Sequence, residues 1–146
     1  LSAQELLRMY YKYIGVLGSP TSVYRFEAVW HGRAVKTVIR EPVQSVRLEC
    51  TVHNPILTDG PTWDCAAVSL RAIDQNSNLL PYCGEAVQLS VEGPLRILGP
   101  SVVPLRGGMA GTYLATTGEA GPAKLHCRME GALDTEVSLT IRCREE

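Results

Sequence analysis

Apolar and polar residues alternate with a period of two through most of this chain, the pattern of strands that bury one face and wet the other. The longest run lies between Asp64 and Ile73, where Ala66, Val68, Leu70 and Ala72 point one way and Ser69 and Arg71 the other. A second run, 86–93, sets Val87, Leu89 and Val91 against Gln88, Ser90 and Glu92. Between them stands Asp74-Gln-Asn-Ser-Asn-Leu-Leu-Pro81, whose Asp, Asn and Ser side chains bond their own backbone and so favour a turn. The two runs and the cluster predict a hairpin of a β-sandwich, with no chemistry of its own.

The same texture continues from Ser45 onward. Strands are predicted near 45–52, 64–73, 85–92, 96–98, 102–105, 111–117, 123–130 and 136–143. Turn signals separate them at Thr58-Asp-Gly-Pro61, Gly93-Pro94, Gly99-Pro100, Arg106-Gly-Gly108, Gly118-Glu-Ala-Gly121 and Gly131. Short strands punctuated every 8–12 residues or so predict an all-β, immunoglobulin-like sandwich over residues 44–146.

Residues 1–43 read differently. Residues 1–17 suit a short helix, with Ser2 and Glu5 as a capping box and Leu1 stapled against Leu6. Leu6, Tyr10, Tyr13 and Leu17 recur at helical spacing and predict one buried face, and Gly15, Gly18 and Pro20 stop the helix. Strands over 24–30 and 34–40 follow, joined by a tight turn at His31-Gly-Arg33. About forty residues bury too little surface to stand alone, so this piece is expected to pack on an adjoining domain.

A length of 146 residues suits one domain, or one domain with a piece of another. A net charge of −1 leaves no basic footprint for nucleic acid or a membrane surface. The chain opens at Leu1 without an initiator Met, which points to a piece of a longer protein, so its lack of a signal peptide says nothing of compartment.

Five cysteines are present. Cys50, Cys127 and Cys143 fall in phase with apolar neighbours and are expected to act as small core hydrophobes. A disulfide between the two sheets stays open as the alternative. The odd count favours free thiols in a reducing, cytoplasmic setting, although the compartment is not decided.

Little in the sequence converges on a reaction. A glycosidase needs two carboxyl groups about 5–9.5 Å apart across one bond. Glu49, Glu92, Glu130 and Glu136 alternate out of phase with apolar positions, as on wetted strand faces, and Asp59, Asp74 and Asp134 sit in turn contexts. His31, His53 and His126 are scattered, and no Cys or His spacing suits a metal. His126 and Cys127 are adjacent on a strand and so point to opposite faces. Arg106-Gly-Gly-Met-Ala-Gly111 lacks the Lys-Ser/Thr of a phosphate loop and reads as a turn. No catalytic residue, metal ligand or cofactor is therefore assigned. The remaining candidates are aromatic: Trp30, Trp63 and Tyr82 offer stacking faces for a sugar if exposed. Trp30 follows Tyr24, Phe26 and Ala28 in phase, which favours packing in a core or domain interface.

Several segments follow an order known elsewhere. Thr58-Asp59-Gly60, the strand and turn from Ala67 to Asn76, Leu80-Pro81, Val87 to Gly93 and Gly121-Pro-Ala-Lys-Leu125 resemble a bacterial Ig-like module of the invasin-like adhesin type. Tyr24-Arg-Phe-Glu27, His31-Gly-Arg33, Val35-Lys-Thr-Val38, Glu92-Gly-Pro94, Ile97-Leu-Gly-Pro100 and Arg106 to Tyr113 resemble the C-terminal region of bacterial family 2 glycoside hydrolases of the β-galactosidase type. That resemblance spans nearly the whole chain. It implies a parent enzyme whose catalytic (β/α)-barrel, with its acid/base and nucleophile glutamates, lies outside these residues. It also implies that residues 1–43 are the tail of a preceding sandwich and 44–146 a terminal accessory domain docked on the rest of the parent. A carbohydrate-binding or adhesive Ig-like module is the alternative.

Overall fold

A computed structural model of the chain describes residues 2–13 and 23–144. Two compact units divide it, Leu1–Pro42 and Val43–Glu146.

In the first unit, helix α1 spans Ala3–Tyr13. Its capping box forms as expected: the Ser2 backbone N–H donates to Glu5 Oε2 at 2.7 Å and the Glu5 N–H to Ser2 Oγ at 3.2 Å. Leu6, on the face predicted to be buried, is 54% exposed. The Leu1 staple, residues 14–17 and the stop at Gly15, Gly18 and Pro20 lie outside the described residues. Strands β1 (Tyr24–Trp30) and β2 (Arg33–Arg40) form a two-stranded antiparallel ribbon. Positive φ at His31 (46°) and Gly32 (74°) closes it with a two-residue turn whose twist suits the flanking strands.

The second unit is a two-layer sandwich. One sheet has β3 (Val46–Val52), β5 (Cys65–Asp74), β9 (Met109–Thr116) and β7 (Leu95–Leu98), in the order β3-β5-β9-β7. The other has β4 (Ile56–Asp59), β11 (Thr135–Cys143), β10 (Gly121–Met129), β6 (Ala86–Glu92) and β8 (Val102–Pro104), in the order β4-β11-β10-β6-β8. The core lies between them. Leu48, Val68, Leu70 and Leu114 from the first sheet meet Leu57, Val87, Leu125 and Ile141 from the second. Apart from Leu57, these lie in strands that the period-two pattern predicts.

The topology corrects one expectation. The runs around Asp74–Pro81 do not form a hairpin, because β5 pairs with β3 and β9 while β6 pairs with β10 and β8 in the opposite layer. The chain changes sheet at each connection from β3 to β10, and among the described residues β10 and β11 are the sole sequence neighbours in this unit that pair. The Asp74 cluster still behaves as turn chemistry. Asp74 Oδ1 accepts from the N–H groups of Asn76 (2.9 Å) and Asn78 (2.8 Å), and Oδ2 accepts from the Asn78 amide at 2.8 Å.

Two further positions differ from expectation. Thr58-Asp59 is not a turn but the end of β4, which pairs parallel with β11 through Ile56↔Thr140 to Asp59↔Cys143. Four residues are too short for alternation to register. Cys143, read as core-phased, is exposed, because its strand runs on past the inward residues Leu139 and Ile141.

Candidate functional site

The outer face of the five-stranded sheet carries the densest set of polar groups. On β10, Lys124, His126 and Arg128 alternate with the buried Leu125 and Cys127. Register then decides their neighbours: His126 stands opposite Ser90 on β6 and Glu136 on β11, and Lys124 opposite Glu92 and Ser138. His126 is therefore bracketed by carboxylates, with Nε2 3.3 Å from Glu92 Oε1 and Nδ1 3.3 Å from Glu136 Oε2. Lys124 Nζ bonds Glu136 Oε1 at 2.6 Å. That bond, with the charges of Lys124 and His126, holds the Glu136 carboxyl below the ordinary carboxylate range, and the same bond, with the carboxylates of Glu136 and Glu92, raises the Lys124 ammonium. An open groove of about 660 Å³ runs beside it, lined by Gln88, Ser90, Ser101, His126, Arg128 and Asp134 among others.

The arrangement suits a wetted polar surface better than catalysis. Glu136 is engaged by Lys124 and His126, and the groove lies on an open sheet face rather than in an enclosed apolar pocket. Other carboxylates lie on exposed surface. Glu49 bonds Arg71 at 2.9 Å and Asp134 lies 3.8 Å from Arg128. Glu130 is exposed at the end of β10.

Asp59 is buried, contrary to its reading as a turn residue. Its Oδ2 accepts from the Gly118 N–H at 3.0 Å. The hydrogen bond from Thr116, which outweighs partial burial, and the N–H groups of Gly118 and Gly60 hold its carboxyl below the ordinary 3.8. Thr116, itself buried, also accepts from the Asp64 N–H at 3.0 Å. This node ties the end of β4 to the end of β9.

His31 lies in the β1–β2 turn and His53 just beyond β3, where its Nε2 meets Ser69 Oγ at 2.7 Å. Among the described residues no group of three or more His, Cys, Asp or Glu is placed to hold a metal ion. Arg106 and Met109 bracket Gly107-Gly108 as a tight turn, as expected.

The aromatic candidates are exposed: Trp30 by 69%, Trp63 by 53% and Tyr82 fully. Trp30 is thus in no core among the described residues. Its ring meets His31 edge to face at a centroid distance of 4.8 Å. Trp63 has the Arg96 guanidinium over its ring at 5.7 Å, so one face is already occupied by a cation.

One pair was missed as a pair. Cys50 on β3 and Cys127 on β10 come from opposite sheets, with sulfurs 3.6 Å apart. The thiol of Cys127 donates to Cys50, which raises Cys127 and lowers Cys50 from the ordinary thiol value. Core phasing marked both residues, but it gives no hint of which strands face each other.

Comparison with known proteins adds what the surface geometry does not. No family model matches the chain. A β-galactosidase of Rhizobium radiobacter is 41% identical over 70 residues, 47% of this chain and 51% of that relative. About half of this chain is homologous to bacterial β-galactosidases. The chain thus spans about half the length of that β-galactosidase. In fold, it is similar to part of a glycosyl hydrolase family 2 member from Bacteroides cellulosilyticus, with a TM-score of 0.65 at 15% identity. That match covers 82% of this chain and 17% of the hydrolase. The D00-D0 domain of intimin is a further structural neighbour, with a TM-score of 0.55 at 12% identity over 85% of this chain and 65% of that one. The β-galactosidase likeness and the all-β, Ig-like sandwich agree with the resemblance drawn from the sequence.

Proposed function

We infer that residues 44–146 are a non-catalytic accessory sandwich of a β-galactosidase-like glycoside hydrolase. Residues 1–43, the helix and hairpin, contribute to an adjoining domain of the same enzyme. The observation that carries this reading is the 41% identity to a β-galactosidase in a chain whose fold matches only 17% of a solved family 2 hydrolase. The role is mechanical: the sandwich docks on its neighbours and holds the assembly in shape. Exposed apolar surface on the first unit supports it. Tyr24 and Phe26 are 56% and 59% exposed on one face of a two-stranded ribbon, and Leu7 and Met9 are exposed on α1. An isolated hairpin is marginal in water, so these faces call for cover.

The test has two parts. Reading the coding DNA in frame on both sides of this chain is expected to reveal a barrel with two suitably placed glutamates. The purified 146-residue chain is expected to leave an aryl β-galactoside unhydrolysed, whereas the whole encoded protein cleaves it. Hydrolysis by the chain alone that survives removal of host enzyme would refute the accessory role. A tandem array of sandwiches with no barrel, or glycan binding that vanishes in Trp63→Ala, would favour an adhesive or carbohydrate-binding module instead.

A further inference from the structure

Cys50 and Cys127 face each other between the two sheets. β3 is an edge strand of the four-stranded sheet and leaves Cys50 half-buried, while Cys127 is fully buried on the inner β10. The neighbouring backbone is tied at the same level. Thr135, the register partner of Cys127, donates its hydroxyl to the Leu48 carbonyl at 2.8 Å, two residues before Cys50. The 3.6 Å sulfur separation exceeds a disulfide bond of about 2.05 Å by about 1.5 Å, a gap on the scale of cysteine side-chain rotation.

We propose that Cys50 and Cys127 form a site of reversible oxidation, at which a small disulfide such as oxidised glutathione converts the two thiols into a bond between the sheets. The chemistry runs by exchange. Cys50, the accessible member, loses its proton and attacks one sulfur of the small disulfide, forming a mixed disulfide and expelling one thiolate, which takes up the proton. Cys127 then gives up its proton and attacks the Cys50 sulfur, expelling the second small thiol. Two protein thiols are oxidised and one small disulfide is reduced to two thiols. The contact between the sulfurs favours this order, because it stabilises the thiolate of Cys50 and keeps Cys127 protonated until the mixed disulfide has formed. The crosslinked residues are 77 apart in sequence, so the bond restrains a long loop of the unfolded chain and stabilises the sandwich.

The test uses the full chain and a Cys65→Ser, Cys83→Ser, Cys143→Ser variant that keeps only the pair. Native protein is incubated with oxidised glutathione, then alkylated and mapped. The expected result is a loss of about 2 Da, for two hydrogens, in the pair-only variant. Both of its thiols should resist alkylation, and a Cys50–Cys127 linked peptide should appear in both proteins. The urea midpoint should rise and return to its starting value with dithiothreitol. Adding Cys127→Ser should arrest the reaction at one glutathione on Cys50. If that variant fails to fold, Cys50→Ser should leave Cys127 unmodified. A lasting glutathione adduct on Cys50 with Cys127 free, linkage to another cysteine, or a bond that forms only in urea would each overturn the proposal.

Discussion

Gly93 and Gly131 have nearly the same backbone, with φ of +79° and +77°, but different surroundings. Gly93 sits where the chain leaves β6 in one sheet for β7 in the other, in a turn closed by the Leu95 N–H on the Gly93 carbonyl at 2.8 Å. A Cβ built there would stand 2.4 Å from the Pro122 carbonyl oxygen and 3.0 Å from the Ala123 Cα, both on the backbone of β10. A Cβ at Gly131 would meet nothing within 4 Å. Substitution by Ala therefore carries the left-handed penalty, about 1–2 kcal/mol, at both positions. Loss of unfolded-chain entropy offsets about 0.4–1 kcal/mol of it. Gly131→Ala should then cost about 1 kcal/mol. Gly93→Ala must also push β6 and β10 apart, and overpacking of this kind adds about 1–3 kcal/mol. With a urea slope of about 1–3 kcal/mol per molar for a small unit, the Gly93→Ala midpoint should fall below that of Gly131→Ala by roughly 1 M. Urea unfolding followed by far-ultraviolet circular dichroism reads the difference. Equal losses at both positions would refute the close approach of the β6–β7 crossover to β10.

Three other outcomes follow from the same structure. Leu125 is fully buried on β10 between Val91 and Val137, so Leu125→Ala should cost about 2–5 kcal/mol in chemical denaturation. Asp59 has a folded pKa depressed below 3.8, so it contributes stability that is fully present above that value and lost as pH falls through the folded one. Thermal unfolding below about pH 4 should thus flatten in Asp59→Asn relative to the parent chain, and a persistent identical acid slope would count against the Asp59–Thr116 node. The Glu49–Arg71 pair is exposed on both sides, so Glu49→Gln should change stability by no more than about 1 kcal/mol, read by thermal melting.

The period-two pattern carried the burial of β5 because alternation is a local property: Ala66, Val68, Leu70 and Ala72 are inward in the sequence and in the structure. It carried Leu125 and Cys127 inward on β10, with His126 outward, for the same reason. Strand partners are not local. The Asp74 cluster is a turn in either topology, so nothing in it could tell a hairpin from a crossover between sheets, and the crossover is what the core selects. β4 escaped notice because four residues ending in Thr-Asp-Gly-Pro look like a turn until β11 lies alongside to supply hydrogen bonds. Trp30 looked inward by phase, yet phase names a face without saying what covers it.

The sites divide along the same line. By itself the sequence determined an all-β, Ig-like class, a helix with its Ser2–Glu5 cap, and half a chain of likeness to β-galactosidases. Those follow from side-chain periodicity, from contacts three residues apart, and from shared descent. Only the tertiary structure brought Glu92 and Glu136 to His126, Thr116 to Asp59, and Cys127 to Cys50. Each of those contacts joins different strands, and sheet order and register, set by how the two layers bury their apolar faces, decide which residues meet.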